Sequence, residues 1–151
     1  MADAIIEIVG QDDLPTIVEL HNQVYRPPHD LDGFKRRCRG RYHVLQMLAR
    51  VAERPVGFFL GHEADPTTFV GWTWGVHPSF RRQGIATQLF EAVHEWAANH
   101  HYETIRLEFG SPARGMIHLA LNLGYEVTGV RWDASRGANL IIVEKDLVRE
   151  E

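Results

Sequence analysis

Apolar and polar positions in the first half of this 151-residue chain predict a region rich in strands. A tight turn at Glu53 and Arg54 separates two apolar runs, which should pair as a hairpin. Asp12, Asp13 and Pro15 are typical of a helix start. The predicted elements are a strand at 5–9, a helix from 12 to 25, a short helix at 31–39, and strands at 42–52 and 55–61.

The second half alternates between the strand period and the helix period. Apolar residues recur every three or four positions after residue 82, which predicts an amphipathic helix packed on a sheet. The elements should be a strand at 69–77, a helix at 82–99, a strand at 103–109, a helix at 112–123, and strands at 125–131 and 139–145. This order predicts an α/β fold with a mixed sheet of about seven strands and helices on both faces, formed by one domain over residues 1–151.

Strict alternation assigns side chains to the faces of two strands. Trp72, Trp74 and Val76 should share one face, where core packing is the simplest role for the tryptophans. Arg106 and Glu108 should lie opposite the apolar residues of their own strand. They could form a local ion pair, or Glu108 could act on an amine.

The composition narrows the class of function. The chain is 44% hydrophobic and 24% charged with a formal charge of −4, so nothing indicates nucleic acid or a membrane as a partner. Cys38 is the only cysteine, which excludes an internal disulfide. The nine histidines form no metal-ligand pattern, so no metal is expected. The N-terminus lacks the features of a signal peptide, and cytoplasmic localisation is the resulting expectation.

The basic segment at residues 76–87 carries the clearest chemistry, because it joins a predicted strand to a predicted helix. Backbone N–H groups at a helix start lack partners and attract anions. Gly84 and Ala86 allow close approach to the main chain, and Arg81 and Arg82 add positive charge. The segment therefore predicts a binding site for a pyrophosphate.

This segment, Val-x-Pro-x-x-Arg-Arg-x-Gly-Ile-Ala, resembles the acyl-CoA-binding signature of the GNAT superfamily of N-acyltransferases. The element order and the sequence Leu123-Gly124-Tyr125, similar to the Leu-Gly-Phe that closes the family's last helix, agree with it. The resemblance implies a splayed sheet, acetyl-CoA as cosubstrate, and direct transfer to an amine acceptor in a ternary complex. Homodimerisation is a further expectation. The residues expected to bind acetyl-CoA are Val76 (through its backbone), Arg81, Arg82, Gln83, Gly84, Ile85, Ala86 and Thr87.

The chain departs from the family pattern where protons are transferred. Ala120 stands where the family's usual acid is a tyrosine, and Val70 stands where some members have a carboxylate. Glu108 is then the candidate base, acting directly or through water, and Ser111 is the candidate group near the departing thiol. A catalytically weak acyl-CoA-binding or sensor module is the alternative reading.

A cationic stretch at residues 35–41 holds the strongest local charge. A solvated helix face explains it most simply. The resemblance implies a second reading, because this part of the family fold borders the acceptor site, and the charge would then favour an acidic acceptor. Cys38, within the stretch, has no recognisable activating partner and is expected to be an inert thiol.

Overall fold

The computed structural model describes residues 3–111 and 113–147, which form seven strands and four α-helices. Two 3₁₀ turns, Gln11–Asp13 and Pro78–Phe80, precede helices along the chain. The strands are β1 (Ile5–Val9), β2 (Leu45–Val51), β3 (Arg54–Asp65), β4 (Thr68–Val76), β5 (Thr104–Gly110), β6 (Glu126–Asp133) and β7 (Ala138–Asp146). The helices are α1 (Leu14–Val24), α2 (Leu31–Cys38), α3 (Ile85–Asn99) and α4 (Arg114–Asn122).

The strands form one mixed sheet in the order β1-β2-β3-β4-β5-β7-β6. Only β4 and β5 pair in parallel, and every other neighbouring pair is antiparallel. Helices α1 and α2 bury Leu14, Ile17 and Phe34 against one face. Helix α3 buries Leu89 and Phe90 against the other face, where α4 also packs. The predicted mixed sheet with helices on both faces is confirmed.

Strands β4 and β5 separate halfway along their length. Their pairing covers Thr68 to Gly71 on β4 and Thr104 to Leu107 on β5, with none beyond. Gly71 permits the last close approach, because a Cβ there would lie 2.6 Å from the Leu107 side chain. The resulting gap is the splay that the sequence resemblance implied.

A β-bulge in β4 overturns one prediction about side-chain faces. Leu60 pairs with Thr73 and Gly61 with Gly71, so Trp72 is an extra residue between two paired positions. The bulge breaks the alternation, and Trp72 packs on the α1 and α2 face while Trp74 packs on the α3 face. The expectation that both tryptophans share one face was therefore wrong.

Several element boundaries also differ from the prediction, and β2 begins at Leu45 rather than at residue 42. Strand β3 continues to Asp65 rather than ending at residue 61. Helix α3 begins at Ile85 rather than near residue 82, because Arg82 (φ 63°) and Gly84 (φ 79°) adopt left-handed conformations that a right-handed helix excludes. The basic residues of the loop thus precede the helix.

A partly buried polar pair ties α3 to the start of β6. His94 Nε2 lies 2.6 Å from the Tyr125 hydroxyl oxygen. Burial, with a smaller contribution from the positive charge of Lys145, lowers the pKa of His94 to about 4. His94 is therefore neutral in the folded protein at neutral pH.

This lowered pKa predicts that acid weakens the fold. Below the ordinary histidine pKa of about 6.5 the unfolded chain binds a proton that folded His94 excludes, so stability falls with pH down to about pH 4. We expect this site to cost about 2 kcal/mol between about pH 7 and about pH 4.5. Urea unfolding of the native protein and of His94→Gln at both pH values measures it. An equal pH-dependent loss in the variant would contradict the assignment.

Candidate active site

The gap between β4 and β5 opens a cleft of about 780 Å³. It is bounded by the end of α1, the bulged half of β4, the end of β5 and the turn between β6 and β7. Its walls are partly aromatic and partly polar. Residues that line it include Tyr25, His29, Trp72, Trp74, Glu108, Phe109, Met116 and Arg136.

The free half of β4 presents main-chain groups to this gap. The His77 N–H donates to the Val56 carbonyl on β3 at 2.7 Å. Neighbouring residues of a strand direct their backbone groups to opposite sides, so the N–H and carbonyl groups of Trp74 and Val76 face the gap. Side chains contact both carbonyls, because the Tyr25 hydroxyl donates to Trp74 and Arg81 Nε donates to Val76 at 3.3 Å.

The loop after β4 directs free amides to the same end of the gap. His77 Nδ1 accepts from the Ser79 N–H at 3.1 Å, which stabilises the 3₁₀ turn. The first helical hydrogen bond of α3 runs from the Gln88 N–H to the Gly84 carbonyl, at 3.1 Å. The N–H groups of the first helical turn, from residue 85 to 87, therefore have no partner within the helix. This geometry can hold an anion.

The structure distinguishes backbone from side-chain roles among the residues predicted to bind acetyl-CoA. The Ile85 side chain is buried in the core, so only its main chain can reach a ligand. Arg81 and Arg82 are exposed, and Gln83, Ala86 and Thr87 are partly exposed. Together with Val76 and Gly84, these residues follow the end of β4 beyond its pairing with β5, and none of them is among the described residues that line the cleft.

Glu108 lines the cleft from β5. Its carboxylate accepts a hydrogen bond from Arg131 Nε, which reaches across β7 from β6. Arg106 instead pairs with Glu144 on β7, with 3.4 Å between Nε and Oε2. The expectation of a local ion pair between Arg106 and Glu108 was wrong, since each has a cross-strand partner.

Other residues singled out in the sequence lie outside the cleft. Ser111 is exposed, its N–H donates to the Asn139 carbonyl at 3.1 Å, and it is not among the described residues that line the cleft. Ala120 is fully buried and brings no hydroxyl. Met116, one turn earlier on α4, lines the cleft and accepts from Trp74 Nε1 at 3.2 Å.

Tyr25 lines the cleft, although no sequence motif singled it out. It directly follows α1, where the cis peptide bond between Arg26 and Pro27 begins the next turn. Burial raises the pKa of the Tyr25 hydroxyl, although the positive charges of Arg81 and Arg136 oppose this shift. The hydroxyl therefore stays protonated at neutral pH and can donate a proton. Its only sequence signal was its position at a predicted helix end.

Arg136 enters the cleft from the turn between β6 and β7. Asp133 holds this turn, because its carboxylate accepts from the Ser135 N–H at 3.1 Å and from the Ser135 hydroxyl at 2.7 Å. Asp133 also lies 3.5 Å from Arg136 Nε. The turn thus places the Arg136 guanidinium, whose charge Asp133 partly neutralises, opposite α2.

The sequence also matches the model of a known protein family. The model described as the acetyltransferase (GNAT) family matches residues 12–125, which is most of the chain. The protein therefore belongs to the GNAT acetyltransferase family, as the motif in the basic loop indicated. No functionally curated protein matches the sequence at a significant level.

Solved structures share the whole fold at low sequence identity. The ribosomal-protein-S18-alanine N-acetyltransferase from Escherichia coli superposes with a TM-score of 0.85 at 18% identity, over 99% of this chain and 97% of that chain. Ard1 from Thermoplasma volcanium gives 0.83 at 17% identity, over 97% and 99%. A GNAT family acetyltransferase from Elizabethkingia anophelis with acetyl-CoA bound gives 0.79 at 18% identity, over 95% and 98%. At these identities the likeness shows a common fold.

No three His, Cys, Asp or Glu side chains within residues 3–111 and 113–147 come together as a metal site. In the same part of the chain, no helix has both the length and the apolar character needed to cross a bilayer.

Proposed function

We propose that the protein transfers the acetyl group of acetyl-CoA to a primary amine of a small molecule or peptide, by direct attack in a ternary complex. One observation carries the proposal. The main chain of β4 at Trp74 and Val76 pairs with no strand on the side of the gap, and it leads directly to the amides at the start of α3 that have no partner within the helix. An amide-containing arm that ends in a pyrophosphate matches both surfaces, and acetyl-CoA has such an arm.

The binding residues divide into two groups. The amides at residues 82–87 would hold the pyrophosphate, and the exposed side chains of Arg81 and Arg82 would add charge. The Val76 backbone would pair with the amide-rich arm as an added strand does. Arg81 now donates to the Val76 carbonyl, so we expect it to leave that carbonyl for a phosphate when the cosubstrate binds.

The chemistry follows from the groups in the cleft. The amine nitrogen forms a bond to the acetyl carbon, the carbon–sulfur bond breaks, and Glu108 accepts the amine proton directly or through water. A β4 N–H near Val76 would stabilise the negative charge on the acetyl oxygen. Tyr25 would give its proton to the departing thiolate in place of the tyrosine missing at Ala120. Placement of the amine supplies much of the rate, since a thioester is already activated.

Ser111 stays a prediction as a group near the thiol, although its exposed position outside the cleft lining favours Tyr25. Homodimerisation and cytoplasmic localisation also stay predictions. Edge strand β6 exposes Val130 and Trp132, and edge strand β1 exposes Ile5 and Ile8, so either edge offers apolar side chains to a second copy.

The proposed function is tested by thiol release from acetyl-CoA in the presence of amines, polyamines, aminoglycosides, amino acids and peptides. Acetyl transfer to any of them above the uncatalysed rate supports the enzyme. Tight acetyl-CoA binding without transfer to any acceptor would instead favour the sensor module.

Tyr25→Phe tests the proton donor. We expect kcat to fall by about tenfold to a hundredfold, less than for an obligatory acid because a thiolate can leave partly unprotonated. The KM for acetyl-CoA should change little. Tyr42→Phe is the matched control, because Tyr42 is 62% exposed and is not among the residues lining the cleft. Full activity of Tyr25→Phe would transfer the role to solvent.

A further inference from the structure

A second cavity, of about 600 Å³, borders the cleft beside α2. Its walls are unusually basic. Four of its lining side chains are arginines, namely Arg36, Arg37, Arg39 and Arg41. This arginine cavity is open to solvent on one side, because all four arginines are exposed.

No ion pair among the described residues neutralises the arginines of this cavity. The ion pairs found within residues 3–111 and 113–147 involve Arg50, Arg106, Arg131 and Arg136, and none of the four arginines of the cavity. The chain as a whole carries a formal charge of −4, so the cluster opposes the overall balance. Like charges held together without counter-charges destabilise a fold and attract anions.

Arg37 faces positive charge from two further elements. The partial desolvation of its guanidinium lowers its pKa most, and the repulsion of Arg41 and Arg136 lowers it further, while Cys38 and Glu108 oppose the shift. An anion at this point would relieve the repulsion.

The arginine cavity adjoins the cleft. His29 and Trp72 line both spaces, and the Arg37 guanidinium lies over the Trp72 ring at 4.9 Å from its centroid. Glu108 lies on the cleft side of this shared wall. A ligand that crosses Trp72 would thus have a carboxylate beside one end and arginines beside the other.

We infer that the acceptor is a primary amine that also carries an anionic group, a carboxylate or a phosphate, several bonds from the nitrogen. This inference rests on the proposed function. Glu108 attracts the ammonium form before the proton leaves, Trp72 contacts the connecting chain, and the arginines bind the anionic end. A solvated helix face would explain why residues 35–41 carry so many arginines, but it would not explain why they lie beside the cleft.

A series of acceptors tests the inference. Each carries the same primary amine at one end of an alkyl chain, and the charge of the group at the other end differs. The series is ε-aminocaproate, its neutral amide, hexamethylenediamine and aminohexyl phosphate. We expect kcat/KM to be highest for the two anionic acceptors and to fall when salt is added. The acceptor with the higher kcat/KM of these two identifies the anionic group that fits better. Arg37→Gln and Arg41→Gln should each raise the KM for the preferred anion by about fivefold, and leave the KM for acetyl-CoA unchanged.

Matched variants separate this effect from general loss of charge. Lys35→Gln removes the same charge from α2 at an exposed position that lines neither space, and it should leave the preference intact. Arg41→Gln keeps the contact between Arg37 and Trp72, so it distinguishes anion binding from packing.

Each outcome decides a different point. Equal or better turnover of the neutral amide or the diamine would overturn the inference and leave the proposed function intact. If no amine is acetylated, the proposed function fails. Calorimetry with N-acetylated ε-aminocaproate and its amide then tests the cavity alone. Tighter binding of the anionic compound than of its amide, with this preference lost in Arg37→Gln, would support anion binding by the cavity. Equal binding of both compounds would overturn the inference.

Discussion

Glu108→Gln should lower kcat by about tenfold to a thousandfold, because the amide cannot accept the proton that the attacking amine releases. The Glu108 carboxylate is proposed as the base because it lines the cleft from β5, where Arg131 from β6 holds it in place. The KM for acetyl-CoA should stay nearly constant, because the cosubstrate is expected to bind along β4 and the basic loop. Steady-state kinetics with the best acceptor, over a range of pH, measures both quantities.

Two other variants serve as controls for this result. Glu144→Gln removes a carboxylate that is also paired with an arginine, Arg106, but that lies outside the residues lining the cleft. His118→Ala changes an exposed residue of α4 that likewise lies outside that lining. Both variants should keep most of their activity. Loss of activity in His118→Ala while Glu108→Gln remains active would reverse the assignment, and full activity in both would indicate a proton path through solvent.

Gly84→Glu should weaken acetyl-CoA binding by about a hundredfold or more. The new carboxylate would stand where the pyrophosphate approaches, so it would both obstruct and repel the ligand. Gly84 also has a φ of 79°, and a side chain there adds about 1–2 kcal/mol of backbone strain. Calorimetric titration with acetyl-CoA, on protein shown to be folded by circular dichroism, gives the affinity.

A second glycine controls for the strain. Gly137 has a φ of 61° in the turn between β6 and β7, and no atom lies within 4 Å of a Cβ built there. Gly137→Glu therefore imposes a similar backbone cost and the same charge away from the basic loop. It should keep its affinity for acetyl-CoA. Unchanged affinity in a folded Gly84→Glu protein would contradict the assignment of the loop.

Much of the fold was predictable because its signals are local. Helical and strand periods depend on neighbouring residues, so the order of elements and the mixed sheet followed from the sequence. Boundaries were less predictable where the backbone leaves regular conformations. The start of α3 moved to Ile85 because Arg82 and Gly84 have positive φ values, and positive φ is uncommon at a residue such as arginine.

The candidate site likewise contains residues that the sequence pointed to and residues that it did not. The basic loop and Gly84 were recognisable because one continuous segment contains the strand end, the turn and the helix start. Tyr25 was not recognisable, since it reaches the cleft only through the packing of α1 against β4 and its hydrogen bond to Trp74. The partner of Glu108 was also missed, because Arg131 lies 23 positions further along the chain and two strands away.

The sequence by itself thus determined the family, the position of the basic loop and the absence of the usual tyrosine at Ala120, because each is written in contiguous residues. Only the tertiary structure decided what surrounds the cleft. The bulge at Trp72 turned that side chain toward α2 and made it the wall between the cleft and the arginine cavity. Contacts of this kind join residues far apart in the chain, and they depend on strand register and helix packing, which no local pattern specifies.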